Sequence, residues 1–168
     1  MDSNKNDKYY TAFNTPFEIG LRSLVIISAM ESEGIDVQRL LIYDYFIIHS
    51  GDVENGPPSL HPSLPHRSSS LLIRRKVLQE GLNLMYSKSL LDVVYDNSGI
   101  SFRASQLTKP FLALFNSTYL EKLKDNAQWV IEKFSSYSEV ELRNYVDSNL
   151  IEWGGEFEYE FLVGGEEE

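Results

Sequence analysis

The chain has 168 residues, no cysteine and a formal net charge of −10, and a chain of this length typically forms one domain that folds without cross-links. The absence of cysteine excludes disulfides and thiolate chemistry, which fits the cytoplasmic location that we expect. No apolar run approaches the roughly 18 residues of a membrane helix, and the first residues lack the apolar stretch of an export signal, so we expect no membrane contact.

The negative charge is concentrated late in the chain. Residues 138–168 hold ten acidic residues and one arginine, a net charge of −9, so the rest of the chain carries −1. An acidic end on a near-neutral body is typical of a solvated segment or of one that contacts a partner. We therefore expect a flexible N-terminus at residues 1–12, a main domain at 13–135 and an acidic C-terminal region at 136–168.

The first helix is predicted from its start signal. Thr15-Pro16-Phe17-Glu18 is a capping-box pattern with proline at the first helical position, which predicts a helix to about Met30. Its apolar residues cover almost the whole circumference, so we expect a helix surrounded by protein. Glu18 and Arg22 are four residues apart and are predicted to pair on its one polar strip.

A charged residue interrupts the apolar face of the second predicted helix, which Asp36 caps and which ends near His49. Asp44 projects into the middle of that face, and a buried carboxylate needs a donor because an unpaired buried charge is very costly. The third predicted helix, from Ser68 to about Lys88, places Arg74 in its own apolar sector. We predict a buried pair between Asp44 and Arg74, with Arg22 as the alternative partner.

A β-hairpin follows the third helix. Residues 90–95 are apolar and β-branched, residues 96–99 form a turn signal, and residues 100–104 alternate in polarity. Three helices followed by a two-stranded wing is the order of a winged helix-turn-helix, with residues 50–66 as a long insertion at the turn. The predicted fold is therefore mainly α (α+β), with a winged-helix core.

The C-terminal part adds helices and one strand. Apolar periodicity predicts helices at residues 106–115 and 118–134, and a short helix at 139–146. Aromatic residues alternate with glutamate over residues 152–161. This period of two predicts a strand that carries Phe157, Tyr159 and Phe161 on one face.

The inserted loop contains glycines and histidines of the kinds found in phosphate-binding and metal sites, but the residues that would complete such a site are missing. The spacing of Gly51 and Gly56 is that of a phosphate-binding loop, yet Pro57 and Pro58 occupy the places of the required lysine and hydroxyl. The loop region contains all three histidines, but their spacing fits no standard metal site. Because no nucleophile elbow occurs either, we predict no catalytic residue, metal ligand or cofactor. A metal-dependent hydrolase remains the least favoured alternative.

Local positive charge leaves DNA binding open as a second function. In a winged helix the third helix enters the major groove and the wing touches the DNA backbone. The candidate DNA contacts are Arg67, Arg75, Lys76, Lys88 and Arg103.

Protein contact is the remaining possibility. An isolated strand with three aromatic residues on one face is unstable in water and needs a sheet edge, in this chain or another. Tryptophans on polar surfaces are typical interface anchors. The candidate partner contacts are His61, Pro62, Trp129, Trp153, Phe157, Tyr159 and Phe161.

Six short stretches stand out together: FNTPFEIG at residues 13–20, QRL at 38–40, DY at 44–45, HSGD at 49–52, GPPSLHP at 56–62 and PHR at 65–67. In this combination they resemble the middle component of bacterial three-component ABC-ATPase systems, a group that includes Lamassu-type anti-phage defence. The resemblance covers residues 13–135.

The resemblance implies a small non-enzymatic subunit, encoded beside an SMC-like ABC ATPase and an effector that is often a nuclease. Such a subunit would dock on the ATPase and help to restrain or position the effector until foreign double-stranded DNA is sensed. The family has no catalytic residues to assign, and the acidic end lies outside the resemblance.

Overall fold

The computed structural model describes residues 14–31, 33–62 and 67–150. Within these ranges it also describes the side chains, except at 67–73 and 150. Three predicted features lie wholly or partly outside these ranges: the N-terminal segment 1–12, residues 63–66 of the inserted loop and the strand at 152–161. None of the helices in the described ranges has the length and apolar character that a bilayer crossing requires.

Six α-helices and one two-stranded antiparallel sheet make up this part of the chain. The helices are α1 (Pro16–Ala29), α2 (Val37–Ile48), α3 (Arg67–Ser87), α4 (Thr108–Leu112), α5 (Thr118–Phe134) and α6 (Glu139–Leu150). The strands β1 (Leu91–Asp96) and β2 (Gly99–Ala104) lie between α3 and α4. The mainly helical class with a small hairpin is confirmed, whereas the closer likeness to a winged helix-turn-helix stays a prediction.

Side-chain caps fix where three helices begin. The backbone N–H of Glu18 donates to Thr15 Oγ1 at 3.2 Å, as the capping-box pattern predicts. Asp36 accepts from the N–H of Arg39 at 2.9 Å, and Ser117 caps α5 in the same way. These caps satisfy amides that have no partner within the helix, so the predicted starts of α1, α2 and α5 are confirmed.

The central layer is formed by α1 and α2, and most of their apolar residues are buried. Phe17 is 44 % exposed, so the first turn of α1 is not enclosed as predicted. α6 packs against the same core through Leu142, Val146 and Tyr145, whose ring meets Phe134 edge-on at 5.1 Å. Part of the acidic C-terminal region therefore belongs to the folded body.

Two predicted helix lengths were wrong. α4 covers five residues because the hydroxyl of Thr108 accepts from the N–H of Ser105 and donates to the carbonyl of Leu90, which forms a turn before the helix. α6 extends to Leu150, four residues past the predicted end, and in this added turn Ser148 and Asn149 donate to the carbonyls of Asn144 and Tyr145.

The hairpin is joined to the body along β2. Its register pairs Leu91 with Ala104 at the base and Tyr95 with Ile100 near the tip. Ile35, just before α2, forms a bridge to Phe102, with hydrogen bonds of 3.0 and 2.8 Å. This bridge fixes the direction in which the hairpin projects.

Two glycines allow α1 and α3 to cross closely. A Cβ atom at Gly81 would lie 2.6 Å from the carbonyl oxygen of Pro16 and 2.8 Å from the nitrogen of Gly20. Both neighbours are backbone atoms, so the helices would have to move apart to make room.

We predict that Gly81→Ala lowers the free energy of unfolding by about 1–3 kcal/mol, because overpacking at the crossing outweighs the gain of about 1 kcal/mol in helix propensity. Urea denaturation measures the change. Asn83→Ala, an exposed substitution on the same helix, serves as the control and should be neutral or slightly stabilising. A Gly81→Ala variant more stable than the parent would contradict the close crossing.

Candidate functional site

The segment of residues 49–62, here called the anchored loop, leads out of α2. A 3₁₀ turn covers Ser50–Asp52, and Asn55 adopts a left-handed conformation with φ of 60°. Gly56 is required because a Cβ atom there would collide with the carbonyl oxygen of Ser50. These features turn the chain sharply before it continues through two prolines.

Hydrogen bonds within the chain hold the two limbs of the anchored loop together. The amides of Leu60 and His61 both donate to the carbonyl of Ile48, each at 3.0 Å. The Ser50 hydroxyl donates to the carbonyl of Pro58 at 3.2 Å, and the amide of Gly51 donates to Ser59 Oγ at 3.0 Å. Prolines further reduce the conformational freedom of the segment. The anchored loop therefore has one defined shape.

Neighbouring helices hold the same loop from below. On α5, Asn126 Nδ2 donates to the carbonyl of Ile47 at 2.8 Å and to Ser50 Oγ at 3.2 Å. Lys133 Nζ donates to the carbonyl of Glu54 at 2.8 Å, and the Tyr45 hydroxyl donates to Asp52 Oδ2 at 2.6 Å. The polar groups of the loop are thus used largely for attachment.

His61 connects the anchored loop to the start of α5. Its Nε2 lies 2.6 Å from the Tyr119 hydroxyl, and the two rings stack at 5.9 Å. Burial, with the charges of Arg22 and Arg74, lowers the pKa of His61 to about 4, although Asp44 acts in the opposite direction. The imidazole is therefore neutral at physiological pH.

The histidines do not form a metal centre in the part of the chain that is described. The His49 ring is buried against Tyr45 at 4.9 Å, and its centroid is 6.3 Å from that of His61. His66 lies outside the described residues. Within the described ranges, no three histidine or acidic side chains are grouped as metal ligands.

A buried ionic cluster lies beneath the anchored loop and joins α1, α2 and α3. Arg22 donates to both carboxylate oxygens of Asp44, from Nε at 2.7 Å and from Nη2 at 3.0 Å. Arg74 Nη1 lies 3.5 Å from Asp44 Oδ2, and its guanidinium lies over the Tyr45 ring at 5.7 Å. Exposed fractions of 0 % for Arg22 and Asp44 and 2 % for Arg74 show that the cluster is fully buried.

The charges in this cluster stabilise one another. Burial alone would raise the pKa of Asp44, but the charge and hydrogen bonds of Arg22, with Arg74, hold that pKa below its ordinary value. The sequence prediction put Arg74 first and Arg22 second, whereas the structure places both at Asp44 and gives Arg22 the shorter contacts. Arg22 is buried and does not lie on a polar surface strip as predicted, although the charge of Glu18 still acts on its guanidinium and, against the effect of burial, helps Asp44 to raise its pKa.

The candidate DNA contacts are spread over different environments. Lys76 and Lys88 are exposed on and just after α3, and Arg75 is half-buried with Nη1 donating to Gln38 Oε1 at 3.3 Å. Arg103 is exposed on β2, directly across from Asp92. The side chain of Arg67 is outside the described set. DNA contact by these residues stays a prediction.

The candidate partner contacts divide into three groups. Pro62 is exposed at the end of the anchored loop, whereas the His61 ring is held against Tyr119 inside the chain. Trp129 is half-buried against the core, with Lys133 Nζ 5.5 Å from its ring centroid. The four aromatic candidates of the C-terminal segment, Trp153, Phe157, Tyr159 and Phe161, lie outside the described residues.

Sequence reasoning missed the helical residues that hold the loop. Asn126 lies within the apolar stripe of α5, and a lone polar residue in such a stripe is a signal that could have identified it. Tyr45 and Tyr119 carried no such signal, because tyrosine is common at the border of a core.

Comparison with family models matches residues 12–156 to the family described as "MC2: ABC-three component (ABC-3C) system Middle Component 2". The match includes α1 to α6, the hairpin and the anchored loop. Comparisons with curated proteins and with solved structures gave no match.

We predict that the two arginines of the cluster contribute unequally to stability. Arg22→Met should lower the free energy of unfolding by about 3–5 kcal/mol, because it leaves the buried Asp44 without its two shortest hydrogen bonds. Arg74→Met retains the Arg22–Asp44 pair and should cost less than about 2 kcal/mol. Denaturant unfolding measures both variants, with Lys76→Met as the exposed control. Equal losses in the two core variants would contradict the ranking.

We also predict that protonation of His61 lowers the free energy of unfolding as the pH falls. The unfolded chain binds a proton at His61 near pH 6.5, whereas the folded chain does so only near pH 4, so protonation favours unfolding between these values. Stability from this group is complete above about pH 6.5 and is lost progressively towards about pH 4. His61→Gln retains a partner for Tyr119 and should flatten the pH dependence of thermal unfolding in this window. An unchanged slope would contradict the assignment.

Proposed function

We propose that this chain, which belongs to the Middle Component 2 family of ABC-three component systems, acts there as a non-catalytic adaptor that docks on the ABC ATPase. In this proposal the same subunit helps to restrain or position the effector, and the assembled system acts in anti-phage defence. The family membership supports an accessory role within a multi-component complex. The docking mode, the effector and the defence role are the proposed steps.

The anchored loop is the observation that supports this role. Its internal polar groups bind the chain itself, while Glu54, Asn55, Pro58 and Pro62 are exposed. A surface held in one shape loses little conformational entropy when a partner binds, which favours affinity and a fixed orientation. Such a loop suits a subunit whose task is to set the position of other subunits.

Several histidine and acidic side chains in and beneath the loop have structural contacts. A hydrolase of the kind considered above would need these side chains turned towards a cleft that admits substrate. Instead His61 contacts Tyr119, Asp52 contacts Tyr45, and Asp44 of α2 lies in the buried ionic cluster. A structural use for each of these groups supports the adaptor.

Reconstitution provides the basic test. The chain is co-expressed with the ATPase and effector subunits encoded beside it, and the complex is analysed by size exclusion. We expect co-elution of this chain with the ATPase. Separate elution of all three proteins would overturn the adaptor proposal.

We predict that the outer side of the anchored loop contributes to assembly. The double variant Glu54→Lys and Pro62→Lys should weaken ATPase binding at least about tenfold, or 1.4 kcal/mol. Because both side chains are exposed, the loss of stability should be limited to the roughly 0.4–1 kcal/mol that replacing a proline costs. Glu80→Lys with Gln79→Lys makes the same change in net charge on the exposed face of α3 and is the matched control. Equal affinity of both double variants would exclude the loop from the interface.

DNA binding remains the alternative and is distinguished by a separate measurement. A DNA-binding subunit would shift duplex DNA on its own, with affinity that falls steeply with salt. The exposed Lys76 on α3 is the observation that favours it. If the Arg75→Glu and Lys76→Glu variant loses the mobility shift but still joins the complex, the result supports a DNA contact. If the parent chain itself gives no mobility shift, the result supports the adaptor alone.

A further inference from the structure

The anchored loop contains the one asparagine–glycine pair of the sequence, Asn55-Gly56. Such a pair is chemically labile, because glycine has no side chain to hinder attack by its backbone nitrogen on the asparagine side chain. The Gly56 nitrogen bonds to Asn55 Cγ, the Cγ–Nδ2 bond breaks, and Nδ2 leaves as ammonia with the proton from Gly56. Water then opens the cyclic succinimide at either of its carbonyls. The product is therefore aspartate or isoaspartate at position 55.

The backbone around this pair forms a tight turn that keeps the reacting groups apart. The N–H of Gly56 donates to the carbonyl of Val53 at 2.9 Å, which closes the turn. Asn55, with a φ of 60°, occupies the third position, where turns that require a positive φ have a ψ of about 0°. With this ψ the Gly56 nitrogen is turned away from Asn55 Cβ. Ring closure therefore requires rotation about the Cα–C bond of Asn55, which would break the hydrogen bond to Val53.

Contacts on both sides of the turn oppose that rotation. Val53 is buried, and its N–H donates to the carbonyl of Ser50 at 3.1 Å. Lys133 Nζ of α5 donates to the carbonyl of Glu54 at 2.8 Å. Gly56 lies so close to the carbonyl of Ser50 that even a Cβ atom has no room there. The reaction therefore requires local opening of the anchored loop, although the Asn55 side chain itself is exposed.

We propose that Asn55 is a latent deamidation site, at which the closed anchored loop suppresses the reaction and opening of the loop permits it. The two products affect the loop differently. Aspartate keeps the backbone unaltered, adds one negative charge and, like asparagine, tolerates a positive φ. Isoaspartate directs the main chain through Cβ and Cγ and so lengthens the turn. Because Gly56 has no space beside Ser50 in which to shift, the isoaspartyl form cannot close the loop.

The chemistry is independent of the adaptor role, since it depends only on the turn and its attachments. An opened loop would also lose the shape of the docking surface proposed above, and that consequence alone rests on the proposed function. The experiments use the isolated chain, so failure of ATPase binding would not affect their outcome.

The first experiment compares reaction rates in the folded and unfolded full-length chain. The chain is incubated at mildly alkaline pH, with or without guanidinium chloride, and conversion at Asn55 is followed by peptide mass spectrometry. We expect conversion at least about tenfold slower in the folded chain, because only the small open population reacts. Equal rates in the folded and unfolded chain would overturn the proposal.

A pair of variants tests the attachment of the turn. Lys133→Met retains an apolar stem but loses the hydrogen bond to Glu54, and it should speed conversion of the folded chain at least about threefold. Lys122→Met, an exposed change on the same helix, is the matched control and should react as the parent does. All three chains should react equally fast in guanidinium chloride. Equal rates for the two folded variants would overturn the role of Lys133.

The second experiment measures the effect of isoaspartate on the loop. The chain is aged in guanidinium chloride and refolded, and the isoaspartyl form is separated by chromatography. The amides of Leu60 and His61, both bonded to the carbonyl of Ile48, should exchange at least about tenfold faster than in the parent. Asn55→Asp has the same added charge and should keep the parent's protection. Equal protection in the isoaspartyl and Asn55→Asp chains would overturn the loss of shape, whereas failure of the isoaspartyl chain alone to refold would support it.

Discussion

The bidentate contact between Arg22 and Asp44 holds two central helices in one register, and Arg74 brings a third helix to the same carboxylate. Buried charges are tolerated only where their partners are placed correctly, so small shifts of α1 or α2 are disfavoured. Tyr45, next to Asp44 in the chain, links the ionic cluster to the anchored loop. Its ring lies under Arg74, while its hydroxyl binds Asp52 in the anchored loop.

The helices that this cluster joins determine the positions of the anchored loop and the hairpin. The loop is attached to α2 and α5, and the hairpin is attached through Ile35 to the segment that enters α2. Both surfaces are therefore fixed relative to one framework of helices. This arrangement suits the proposed adaptor role, because a surface that is already ordered loses little conformational entropy when a partner binds.

The sequence predicted local features better than spatial ones. The caps at Thr15 and Asp36 and the turn at 96–99 depend on residues close in the chain, and the structure has them where the patterns predicted them. Asp44 was identified as buried because a charge in an apolar stripe contradicts the pattern around it. Its main partner, Arg22, was named only as the alternative to Arg74, since Arg22 has the spacing to Glu18 of a surface pair. The roles of Tyr119 and Asn126 depend on contacts 58 and 76 residues apart, which periodicity does not encode.

Hydrogen exchange of the chain, alone and in complex with the ATPase and effector subunits, tests the central claim that preformed surfaces of this subunit make the contacts of the assembly. The account predicts that assembly slows exchange of exposed amides in the anchored loop, while amides around Arg22 and Asp44 are equally protected before and after. Unchanged exchange of the loop in the assembled complex would contradict it, and so would a loop that becomes ordered only on assembly.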